Sequence, residues 1–121
     1  MDFTEIQIEQ VWRKATVVKG WDADTFRKDP CGAIIMRDKY GKRDNPFGWE
    51  IDHIYPKSKP NSDDRLENLR AMQYENNISK GDDFPSYVSA VTAEGTKNVP
   101  QRRALTINET TYNRLKEIYG F

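Results

Sequence analysis

One cysteine, Cys31, and one histidine, His53, are all that this chain of 121 residues offers for cross-linking its own fold. A disulfide needs two thiols, and a structural zinc site needs several Cys or His ligands. Neither can staple the chain, so side-chain packing has to hold it together. Apolar residues make up only 36% of the chain and charged ones 31%, which predicts a small core and a large irregular fraction. Disordered chains combine low hydrophobicity with a large net charge, whereas here 19 basic residues balance 19 acidic ones. The same balance argues against a blanket nucleic-acid coat while leaving room for a local basic patch. The length fits a single domain over residues 1–121. Cys31 reads most simply as a small buried residue.

No apolar run approaches a membrane span, and Met1 to Gln10 has neither a basic nor an apolar signal region. The expectation is a cytoplasmic protein with no membrane partner.

Local patterns divide the chain into three parts. Over residues 1–30, Thr4 and Gln7 form a capping-box pattern. Ile8, Val11, Trp12, Ala15 and Val18 recur at helical spacing, with Gly20 as a stop. Residues 21–30 read as a connection. Over residues 31–82, Ala33 to Met36 predicts a strand, Asp38 to Gly48 a long hairpin connection, and Trp49 to Ile54 the second strand. A polar loop follows to Arg65, and a helix is expected from about Leu69 to Ser79, ending at Gly81. Over residues 83–121 the clearest element is a helix from Glu109 to Tyr119, with Asn108 as N-cap and Gly120 as stop. The fold class is α+β. Arg37, Lys39, Lys42 and Arg43 cluster in the presumed hairpin, as a nucleic-acid contact or as an ordinary solvated turn.

The chemistry concentrates between Gly48 and Asp82. Asp52 and His53 stand together near the end of a strand, ahead of Pro56. A carboxylate can give one oxygen to a hard divalent cation, and a neutral imidazole can take a proton from water near neutral pH. The amide oxygen of Asn77 can complete a sparse oxygen site. Lys80, three residues on and on the same helical face, can meet a phosphate. The plain alternative is an Asp-His pair that only makes a structural hydrogen bond.

The order and spacing of Asp52-His53-Ile54, Pro56, Ser58, Asp63-Asp64, Asn68-Leu69, Asn77 and Lys80-Gly81-Asp82 resemble the HNH nuclease family. Tyr40-Gly41 and Gly48-Trp49-Glu50 are similar to small stand-alone bacterial and phage members. Outside residues 31–82 the likeness is thin. The resemblance implies a ββα-metal (His-Me finger) core, a two-stranded hairpin plus helix, flanked by N- and C-terminal helices. It implies Asp52 and Asn77 as metal ligands, His53 as general base, Asn68 as the residue that orders the loop and helps orient His53, and Glu50 as a supporting acid. Lys80, Arg37, Lys39, Lys42 and Arg43 would face phosphate.

The implied activity is metal-dependent hydrolysis of DNA phosphodiesters, most simply as single-strand nicking of duplex DNA. The protein would act alone or inside a larger phage or defence assembly. Oxygen ligands without a second histidine favour Mg²⁺ or Mn²⁺ over Zn²⁺. The alternative is a non-catalytic module that binds nucleic acid or a partner on the same fold. Many HNH proteins brace this module with paired cysteines, and Asn76 stands near where such a cysteine would fall. Packing by Val11, Trp12 and Leu115 is expected to take that place.

Overall fold

A computed structural model describes residues 3–121 as a mixed α+β fold with three helices and four small antiparallel strand pairs. The first helix, α1 (Glu5–Trp12), begins where its capping box puts it. Thr4 Oγ1 accepts the Gln7 N–H at 3.1 Å, and Gln7 Oε1 accepts the Thr4 N–H at 2.9 Å. It stops well short of Gly20, because Thr16 exchanges two backbone hydrogen bonds with Lys28, each 2.9 Å. A strand contact thus takes over the Thr16 donor and acceptor that a longer helix would have used.

Residues 21–30 are not a plain connection. They contain β1 (Phe26–Lys28), which pairs with β2 (Ile34–Met36) in the register Arg27 opposite Ile35. The segment expected to pair with Trp49 to Ile54 therefore pairs backwards instead. The cause is local: Asp29 accepts the N–H groups of Cys31 and Ala33 at 2.8 and 2.9 Å, closing a tight turn between the two strands.

The partner of β3 (Trp49–His53) is β4 (Leu69–Gln73), in antiparallel register with Asp52 opposite Arg70. The helix expected from Leu69 begins only after this strand, as α2 (Tyr74–Lys80), because β3 supplies the backbone partners of residues 69–73. The Gln73 side chain then caps α2, accepting the N–H groups of Glu75 and Asn76. Gly48, just before β3, sits at a close approach: a Cβ there would lie 1.7 Å from the carbonyl oxygen of Lys42.

The β3–β4 ribbon separates two apolar clusters. On one side Trp49, Ile51, Leu69 and Ala71 pack against Val11 and Trp12 of α1. Each fully buried aromatic or aliphatic side chain of this kind contributes about 1.5–3 kcal/mol. On the other side Met72 packs with Cys31, Ile54, Tyr55 and Tyr87. That cluster is covered by Leu115 and Tyr119 of α3 (Glu109–Tyr119), whose ends match the expected Asn108 cap and Gly120 stop. Cys31 is wholly buried, and burial pushes its thiol up to about 12. Between β4 and α3 the chain adds β5 (Ser86–Val88), β6 (Val91–Glu94), β7 (Lys97–Pro100) and β8 (Ala104–Thr106). Here β5 pairs with β8 and β6 with β7.

Bracing does not come from packing alone. The buried Asn76 donates to Asp29 Oδ2 and the Val91 carbonyl, both at 3.1 Å, and its Oδ1 accepts the N–H groups of Ala90 and Val91. One side chain thereby ties α2 to the β1–β2 turn and to the start of β6. Among the described residues no helix is long and apolar enough to cross a membrane.

Candidate active site

The end of β3, the start of α2's last turn and the loop after β3 enclose a polar cleft of about 200 Å³. Its lining includes Asp52, His53, Lys57, Asn77 and Asp82. A cavity of similar size, about 210 Å³, lies among Trp21, Phe26, Ile34, Phe47 and Thr96. That one carries no titratable group, whereas the polar cleft gathers five polar or titratable side chains. Side chains alternate along β3, yet Asp52 and His53 both reach the cleft because it opens at the strand end.

His53 is held from one side. Its Nε2 lies 2.8 Å from Asp64 Oδ1, and its ring centroid is 6.0 Å from that of Phe3. Its Nδ1 has no hydrogen bond among the described residues. Lys57 Nζ shares the same Asp64 oxygen at 3.0 Å. The His53 contact first and the Lys57 contact next hold Asp64 below the usual carboxylate range.

Asn68 is fully buried and bonds across the loop after β3. Its Oδ1 accepts the Tyr55 N–H at 2.7 Å, and its Nδ2 donates to the Tyr55 carbonyl at 3.0 Å. Its own carbonyl accepts the Ile54 N–H at 2.8 Å. It makes no hydrogen bond to His53; the direct contact to the ring comes from Asp64.

Asp52 is 4% exposed and carries two cations, Arg70 Nε at 3.0 Å on Oδ2 and Lys80 Nζ at 3.2 Å on Oδ1. Lys80 also donates to the His53 carbonyl at 3.1 Å. Burial lowers the Lys80 pKa, with Asp52 working in the opposite direction. The expectation that Lys80 meets phosphate is corrected by this placement. The side chain is enclosed, and its amine is already committed to Asp52 and the strand end.

Asn77 points its Nδ2 at Glu50 Oε1, 3.0 Å away, and its Oδ1 has no partner among the described residues. Glu50 is gripped by Arg43, with Nε at 2.7 Å and Nη2 at 3.0 Å. Burial pushes the Glu50 carboxyl up, but Arg43 and Asn77 outweigh it and hold the group below its ordinary value. Of the four basic residues near the hairpin, Arg43 is therefore spent on Glu50 and Arg37 on Glu9. Lys39 lies 4.0 Å from Asp38, and Lys42 is exposed. The cluster is weaker as a phosphate-facing patch than its sequence suggests.

The donors at the cleft suit a hard divalent cation. Asp52 and Asn77 offer a carboxylate and an amide oxygen with no sulfur beside them, and the Asp52 carboxylate has about four lone-pair directions, of which Arg70 and Lys80 take two. Among the described residues no group of three or more His, Cys, Asp or Glu side chains gathers for a metal. A cation here would rely on Asp52, Asn77, water and substrate oxygens.

Two site residues carried no role in the sequence reading. Arg70 stands directly across from Asp52 in the β3–β4 register, an opposite-charge cross-strand pair that would have been legible had residues 69–73 been read as a strand. Asp64 reaches His53 across an irregular loop, where no periodicity marks the contact.

No family model matches the chain, and neither a curated protein nor a solved structure matches it.

Proposed function

We propose that the chain is a metal-dependent DNA endonuclease of the HNH type that nicks one strand of duplex DNA, acting in the cytoplasm alone or within a larger phage or defence assembly. On this reading β3, β4 and α2 are the ββα-metal module. The observation that carries it is the meeting of Asp52, His53 and Asn77 on one polar cleft, with His53 restrained at Nε2 and its Nδ1 without a hydrogen bond among the described residues. An imidazole in that state accepts a proton from water through Nδ1, producing the nucleophile for an in-line attack on phosphorus.

Asp52 and Asn77 would hold Mg²⁺ or Mn²⁺, which supplies charge stabilisation for the phosphate oxygens and the leaving group. Glu50, fixed by Arg43, holds the amide nitrogen of Asn77 and so leaves its oxygen as the atom that would take a cation. Lys57, at the cleft wall, paired with Asp64 and about half exposed, offers a positive charge to a backbone phosphate.

The double neutralisation of Asp52 by Arg70 and Lys80 favours a second reading, a non-catalytic module that binds DNA or a partner. One experiment separates the two. Supercoiled plasmid is incubated with the protein in Mg²⁺, Mn²⁺ or EDTA, beside His53→Ala. Metal-dependent conversion to open circles that disappears in the variant supports the nuclease. DNA retention by both proteins with no conversion in any metal supports the binding module.

A further inference from the structure

We infer that Asp64 is the positioning residue of this site: its carboxylate holds the ring proton of His53 on Nε2 and so leaves Nδ1 as the unprotonated nitrogen of the ring. The role in cleavage rests on the nuclease reading above, while the contact itself does not.

The argument begins with hydrogen-bond chemistry. An ionised carboxylate can only accept, so across the 2.8 Å between Asp64 Oδ1 and His53 Nε2 the imidazole must donate. In the neutral ring the lone pair then belongs to Nδ1, which has no partner among the described residues. Asp64 is also not a surface carboxylate free to swing. On its N-terminal side, Asp63 is gripped by Arg65 and by the Tyr119 hydroxyl, which donates to Asp63 Oδ1 at 2.7 Å. On its C-terminal side, Asn68 clamps the loop to both backbone groups of Tyr55. Ser62 adds a bond to the Tyr55 carbonyl at 3.0 Å. The loop thus fixes where the carboxylate stands, and the carboxylate fixes how the ring stands. A base oriented by a third group is the general logic of activated-nucleophile sites.

His53 is the only histidine of the chain, so ring nitrogen signals in ¹⁵N-labelled protein need no assignment by mutation. At a pH where the ring is neutral, NMR of the parent should show the proton on Nε2 as a resolved, slowly exchanging ring N–H. Asp64→Ala should lose that resonance to exchange with water, while Lys57→Met, which removes the other partner of Asp64, should keep it. In plasmid nicking, Asp64→Ala should lower kcat by about ten- to a hundred-fold with KM little changed. The proposal is overturned by a parent ring protonated on Nδ1, by a ring N–H that survives Asp64→Ala, or by an Asp64→Ala protein that keeps the parent kcat. The parent spectrum needs no variant to fold. Because NMR needs no cleavage, a protein that cuts nothing but shows the bonded Nε2–H refutes the nuclease reading and leaves the positioning contact standing.

Discussion

Lys80 Nζ lies 3.2 Å from Asp52 Oδ1, and neither side chain is open to water, at 0% and 4% exposure. The pair joins the last turn of α2 to the end of β3 directly beneath the candidate base. Removing one partner of a buried ion pair leaves the other charge without compensation, which typically costs about 3–5 kcal/mol. Arg70 remains on Asp52, so Lys80→Met should fall near the lower end of that range. Urea denaturation of parent and variant measures it; coincident midpoints would mean that the pair adds nothing to the fold.

Asn68 returns both backbone hydrogen bonds of Tyr55 from a site with no exposure. Asn68→Ala leaves the buried Tyr55 N–H unpaired, at a cost of about 1–3 kcal/mol, and leaves the Tyr55 carbonyl with Ser62 as its side-chain donor. The loop carrying Asp64 loses its clamp at the same time. The expected outcome is a protein that unfolds at lower urea and nicks more slowly than its loss of stability explains. Full nicking at a temperature where the variant is folded would contradict the link between loop order and His53.

A cation bound through Asp52 and Asn77 should raise the melting temperature by mass action, about 1.4 kcal/mol of added stability at tenfold excess over Kd. His53→Ala should keep the Mg²⁺ shift, since the ring is not a ligand, and Asn77→Ala should lose most of it. Thermal melts with Mg²⁺ and with EDTA read both. An equal shift in all three proteins would place the metal elsewhere.

Asp63 accepts from Arg65 and from Tyr119 at the edge of the second cluster. These contacts, with Arg65 the larger, hold its carboxyl well below the usual range. A carboxylate depressed in the folded state contributes stability above its unfolded value, 3.8, and loses it as pH falls toward the folded value. Tyr119→Phe removes one donor, so the parent–variant difference should shrink as pH drops below that value. Partial exposure limits the whole effect to about 1 kcal/mol. A difference that is constant from neutral pH into acid would mean that the hydroxyl does not sense the charge on Asp63.

Much of the local structure was legible residue by residue. The start of α1 and both ends of α3 follow from caps whose bonds join residues three apart, as Thr4 with Gln7 and Asn108 with Thr111. Burial of Val11, Trp12, Cys31 and Leu115 follows from their apolar character in a chain with little else to bury. Of the residues in the motif, Asp52, His53, Pro56 and Asn77 share the cleft, while Asn68 lies buried beside it in the loop.

What the linear order could not determine is which backbone would claim which partner. Leu69 to Gln73 reads as helix by composition, and pairing with β3 makes it a strand. Ala33 to Met36 reads as a partner of β3, and the Asp29 turn sends it back onto β1. The contacts that shape the cleft span 11 residues from His53 to Asp64, 18 from Asp52 to Arg70 and 47 from Asp29 to Asn76. Residue types and short-range caps belong to the sequence, because their energies are settled within a turn of chain. Lys80 as a buried counter-ion, Arg43 as the grip on Glu50 and Asp64 as the holder of His53 belong to the tertiary structure. Such side chains can meet solvent or several partners alike, and only the folded packing decides which charge is brought within hydrogen-bond reach.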